Sequence, residues 1–154
     1  MDWAETGSLL LSVAGAFVLA LPIGWERERS ERGLGLRTFP LVAMASTVYL
    51  LLAEEVFIGH PEAQARVLQG LITGIGFIGA GAILKQRGSE EVHGTSTAAA
   101  VWATGALGAS VAYGRWDIAV IISVFTFATF RWMTPLKDAV EDAPRRREQR
   151  EDAR

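Results

Sequence analysis

No cysteine occurs among the 154 residues. Disulfides and thiolate metal sites are therefore excluded, although the compartment is not identified by that absence. Histidine is almost as scarce. His60 and His93 stand far apart in polar connections, without a second histidine or cysteine at ligand spacing, and both read as surface residues. No nucleophile–base–acid set or phosphate loop stands out, so an enzyme is the least favoured class. Charge is also missing from long windows: residues 6–25, 38–53, 67–84, 92–114 and 118–130 contain no Asp, Glu, Lys or Arg.

What fills those windows is apolar. Half of the residues are hydrophobic and the mean hydropathy is +0.24, despite a charged tail. A membrane helix needs about 20 predominantly apolar residues, and five such spans fit, at about 6–24, 37–57, 66–84, 95–113 and 117–134. The first is preceded by Asp2 and Glu5 and lacks a basic flank, so it reads as a retained helix and not as a signal peptide. Residues 1–135 form one transmembrane domain in this reading, and residues 136–154 form a charged cytoplasmic tail. The tail mixes both signs, which favours a solvated segment near anionic lipid over nucleic-acid binding.

Basic residues set the orientation, because they accumulate on the cytoplasmic side of a membrane. With the amino terminus outside, 13 of the 15 basic residues fall inside, and only Arg66 and Arg115 fall outside. An even number of spans would break that partition.

The third span, GLITGIGFIGAGAILK from Gly70 to Lys85, carries Gly70, Gly74, Gly76, Gly79 and Gly81. Glycine costs about 1 kcal/mol against alanine in a water-exposed helix. In a bilayer helix is enforced, and small residues admit close neighbours. Gly70, Gly74 and Gly81 share one face, and Gly76 and Gly79 lie on roughly the opposite one, which predicts a helix packed from both sides in the bundle interior. Gly74, Gly76 and Gly79 also match the dinucleotide fingerprint, with Glu90 and Glu91 downstream. That fingerprint requires a preceding strand and a parallel sheet, and a membrane-length window supplies neither. In the fourth span Gly105 with Ala109, and Gly108 with Ala112, repeat the small-residue spacing. Phe125, Phe127, Phe130 and Trp132 in the last span suit lipid contact or interfacial anchoring.

Charges at span ends come next. Glu54 and Glu55 can stay solvated at the outer edge. Glu26, between Trp25 and Arg27 at the inner edge, reads as half of an ion pair with Arg37. A cation-binding carboxylate is the alternative.

Four blocks in order resemble the membrane domain of the MgtC/SapB family: Gly24 to Arg27, Gly35 to Thr38, Gly74 to Gly81, and Gly94 to Ala99. They lie within about residues 7–135, and the cytosolic domain found in many members is not expected here. The resemblance implies a multi-pass protein of the bacterial inner membrane, linked to growth at low magnesium and survival inside host cells. Some members are associated with the membrane ATP synthase. Its site candidates are Glu26, Arg27, Gly35, Arg37, Thr38, Gly74, Gly76, Gly79, Gly81, Gly94 and Thr97. No cofactor, metal or nucleic acid is expected; the bilayer, a second copy of the chain and a membrane-protein partner are.

The expected fold is all-α, five transmembrane helices with the amino terminus outside. The leading functional expectation is a non-enzymatic modulator of adaptation to low magnesium or envelope stress; the rival is a transporter or channel for a cation or small solute. A reporter fused after Arg154 is expected to read as cytoplasmic and one fused before Met1 as external. The same side at both ends would refute five spans.

Overall fold

The computed structural model describes residues 3–29, 35–85 and 92–133. The charged tail over 136–154, Gly33, and Glu90 with Glu91 lie outside the described residues. Five α-helices follow in the expected order: α1 (Trp3–Arg29), α2 (Thr38–Val56), α3 (Pro61–Gly81), α4 (Thr95–Ala112) and α5 (Trp116–Ala128). A π-helical turn, Thr129–Met133, extends α5. Between α3 and α4, a two-residue strand β1 (Leu84–Lys85) pairs antiparallel with β2 (Val92–His93). Among the described residues α1, α2 and the α5 segment through Met133 are long and apolar enough to cross a membrane; α3 and α4 fall short in composition.

Local chemistry sets the helix ends. Pro40 sits in the first turn of α2, where its missing N–H is harmless. After α2, the Phe57 N–H bonds the Ala53 carbonyl at 3.0 Å, Gly59 turns the chain at φ 77°, and Pro61 opens α3. Gly94 precedes α4 at φ 90°, a conformation that L side chains rarely adopt. A Cβ there would also strike the Ala82 carbonyl.

The helix at the centre is α4, which packs against the other four, while α3 packs on α2 and α4 only at the periphery. This corrects the interior placement expected for the glycine-rich span. Only Ile75 and Gly79 of α3 are buried, and a Cβ built on Gly70, Gly74, Gly76 or Gly81 meets nothing within 4 Å. Half of α4 is buried, along one broad face that includes Thr97, Thr104, Gly105, Leu107, Gly108 and Val111, while Ala99, Trp102 and Ala106 on the opposite face are exposed. The physical reason is that glycine permits close packing without requiring it: a Cβ on Gly105 or Gly108 of α4 would strike a neighbouring helix, and one on Gly74 or Gly76 of α3 would meet nothing. At Gly108 a Cβ would collide with the Ala43 carbonyl and lie 2.8 Å from Ser46 Cβ, so backbone meets backbone. Gly105 receives the tip of Ile75 in the same way.

Hydroxyl groups lock these contacts. Thr47 directs its O–H at the Gly108 carbonyl (2.9 Å) and at its own helix's Ala43 carbonyl (3.0 Å), joining α2 to α4. Ser123 donates to the Leu19 carbonyl at 2.6 Å, joining α5 to α1. Interhelical bonds of this kind contribute about 0.6–2 kcal/mol in a bilayer. The exterior is apolar: Leu10, Leu11, Val18, Leu41, Phe77, Ile121 and Phe125 are all exposed. Water would penalise such a surface, and lipid does not.

Replacing Gly108 with alanine is expected to destabilise the bundle by about 1–3 kcal/mol, through overpacking against Ala43. Gly76→Ala, in open space, should be neutral or stabilising by up to about 1 kcal/mol. Reversible unfolding in detergent checks both, and equal losses would put α3 back inside.

Candidate functional site at the arginine end

All the family-like blocks reach one end of the bundle, where α1, α3 and the π-helical turn finish and α2 and α4 begin. The side of α1 that bears Ala16, Ala20 and Ile23 is buried, and Arg27 continues that stripe one turn on, leaving it 2 % exposed. Its guanidinium donates from Nη2 to Thr97 Oγ1 at 2.8 Å, and Thr97 is fully buried in the first turn of α4. The guanidinium carbon also lies 4.4 Å from the centre of the Phe130 ring. One cation thus ties α1 to α4 by a hydrogen bond and to the end of α5 by a cation–π contact.

A second fastening lies on the neighbouring face of α1. Gly24 meets the backbone entering α2, where a Cβ would sit 3.1 Å from Leu36 Cα and 3.3 Å from the Gly35 oxygen. One turn further, the Glu28 carboxylate accepts a hydrogen bond from the Leu36 N–H at 2.9 Å and occupies the space a Gly35 side chain would need. The Gly35 carbonyl in turn accepts from the Thr38 N–H at 3.1 Å. The third fastening joins α3 to α4: a Cβ on Gly79 would lie 3.2 Å from the Ala98 carbonyl.

The structure gathers Arg27, Gly35, Gly79, Gly94 and Thr97 of the expected set into this end. It does not pair Glu26 with Arg37. Glu26 is half-buried, Arg37 is exposed, and among the described residues no ion pair joins them. The correction has a geometric cause. Residues two apart on a helix point about 200° apart, so Glu28, facing the loop, turns Glu26 away from it. Thr38 is half-buried in the first turn of α2, and Gly74, Gly76 and Gly81 are exposed on α3. Phe130 is a second correction: expected against lipid, it is 6 % exposed and receives Arg27, while Phe125 and Trp132 do remain exposed. Glu28 and Phe130 are the participants that sequence reasoning passed over. The four-residue spacing from Gly24 to Glu28 was the available signal for the first; nothing local distinguished Phe130 from its aromatic neighbours. At the opposite end Arg115 and Asp117 form an exposed bidentate pair at 3.0 and 2.8 Å, which water screens.

The MgtC family model matches residues 13–139, a range that contains the whole arginine end. SrpB of Synechococcus elongatus is 36% identical over 138 residues, covering 83% of this chain and 74% of that protein. MgtC of Brucella abortus is 33% identical over 147 residues, covering 96% of this chain. The chain spans 60% of that protein's length. YhiD of Escherichia coli K12, whose description proposes magnesium transport, is 30% identical over 142 residues, with 83% of this chain and 65% of YhiD covered. No solved structure matches the chain.

Thr97→Val should cost about 1.5–3 kcal/mol, because it removes a charge-assisted hydrogen bond between two buried side chains. Combined with Arg27→Met it should be markedly less than additive. Glu26→Gln and Arg37→Gln should instead add within about 0.5 kcal/mol. Double-mutant cycles on the detergent-purified protein separate the two cases.

Proposed function

The chain belongs to the MgtC family, and from that membership we infer a non-enzymatic membrane protein that modulates magnesium homeostasis through contacts with membrane partners. The observation that supports this reading most is where the buried polar groups are used. Ser46, Thr47, Thr104 and Ser123 all give their hydroxyl hydrogens to backbone carbonyls, so the polarity within the helices is spent on packing. The buried cation stands instead at the end of the bundle, where it holds three helices together. A transport path would call for unspent polar groups along the span.

In this reading the protein sits in the bacterial inner membrane with its amino terminus outside, as the distribution of basic residues favours. It assembles with a second copy and acts on another membrane protein, the ATP synthase being the leading candidate. The cytoplasmic face then carries the arginine end. Transport of magnesium is the second reading, favoured by the description given to YhiD.

Two measurements on the full chain decide between them: mass spectrometry of proteins that co-purify after mild solubilisation, and magnesium flux in proteoliposomes. Recovery of ATP-synthase subunits, with flux no greater than in empty liposomes, is the expected result. Flux above that background would establish the transport reading in its place.

A further inference from the structure

A groove of about 610 Å³ runs along the outside of the bundle between α2 and α3. Its walls are Leu41, Val42, Ala45 and Tyr49 on one side, and Gly70, Leu71, Gly74 and Ile78 on the other. The glycines make it wide, since nothing stands within 4 Å of the positions their side chains would occupy. One end lies at Thr38, the first residue of α2, and the other at Tyr49. At 1.5 Å per residue this is about 16 Å, close to half of the ~30 Å hydrocarbon thickness of a bilayer. The groove therefore matches a single leaflet and not a full crossing. A transmembrane helix from another chain would need the whole length.

The mouth is polar, and a basic residue stands beside it. Thr38 lines it, and among the described residues its hydroxyl makes no hydrogen bond. Arg37 is exposed immediately before it, one helical turn from the groove residue Leu41, and forms no ion pair among the described residues. The backbone of this helix start is not available to a ligand. The Thr38 and Phe39 N–H groups are both directed at the Gly35 carbonyl, and Pro40 has none. Among the described residues, recognition at the mouth is consequently left to the Arg37 guanidinium and the Thr38 hydroxyl. A phosphate ester matches both, and an acyl chain matches the groove that continues from them.

We propose that the α2–α3 groove is a binding site for one anionic phospholipid of the cytoplasmic leaflet. Its phosphate is held by Arg37 and Thr38, and one acyl chain lies against Gly70 and Gly74. The assignment to the cytoplasmic leaflet rests on the orientation given above, whereas the binding itself does not. Reporter fusions test the first and lipid retention tests the second, so either can fail alone.

The test is native mass spectrometry of the full chain released from mixed micelles containing equal phosphatidylglycerol and phosphatidylcholine of the same chains. Phosphatidylglycerol should be retained roughly fivefold over phosphatidylcholine, the ratio that ~1 kcal/mol per basic residue near anionic lipid supplies. Arg37→Gln should reduce the two to equal retention, while Arg29→Gln, exposed at the same end of α1, leaves the preference intact. Gly74→Leu, which fills the groove at an open position, should lower retention of both lipids without changing helicity by circular dichroism; Ala45→Leu provides the same test from the opposite wall. Equal retention of the two lipids by the unmodified chain overturns the proposal, as does a preference that survives Arg37→Gln. Competition by inorganic phosphate alone at equal concentration would reduce the site to an anion site and overturn it. A loss of dimer mass in Gly74→Leu with lipid unchanged would assign the groove to a second copy, and also overturn it.

Discussion

Where α4 crosses α2, the Ala43 carbonyl occupies the space that a side chain on residue 108 would need, and Thr47 reaches across to the Gly108 carbonyl. The other helices take their positions from this crossing. Helices brought to backbone distance gain dispersion contacts along their length, and in lipid such packing replaces the hydrophobic effect as the cohesive term. α4 sustains it because Gly105 and Gly108 lie on neighbouring faces: one admits Ile75 from α3, the other admits α2. α1 and α5 close the remaining side, with Ser123 bonded to the Leu19 carbonyl.

The arginine end solves a different problem. Five helix termini converge there, and a terminus leaves unsatisfied backbone groups and splayed side chains. Two side chains of opposite sign fasten it. Arg27 points into the bundle and draws in α4 and the π-helical turn, while Glu28, on the adjoining residue, secures the chain entering α2. Because adjacent residues on a helix diverge by about 100°, one stretch of α1 can serve two directions at once. The charged fastening is thus held at a face, and the span itself is left to packing.

Much of this architecture was visible in the residues. The uncharged windows located the five helices, and the Gly24–Arg27, Gly35–Thr38 and Gly94–Ala99 blocks marked segments that do meet. Their partners were not visible, because partnership depends on rotation about each helix axis and on bundle order. Glu26 and Glu28 look alike as letters, and only the direction each faces separates them. Phe130 differs from Phe125 solely in pointing at Arg27. The glycines of α3 other than Gly79 advertised packing that the bundle does not contain, whereas Thr104, Gly105 and Gly108, a plainer run, form the centre. Small residues report permission to approach; which helix uses it is a property of the whole assembly.

The central position of α4 bears on how the protein enters its membrane. Its buried threonines and glycines help to leave it outside the set of helices long and apolar enough to cross, which among the described residues includes α1, α2 and α5 with its π-helical extension. Synthesis proceeds from the amino terminus, so α1 and α2 precede it and already carry the carbonyls and small side chains that α4 requires. Its polar groups lose the cost of hydrocarbon exposure only as they meet those partners. Insertion of this helix is thereby coupled to tertiary packing, and the order of segments in the chain becomes an assembly sequence in which the central helix arrives after part of its binding site has been laid down.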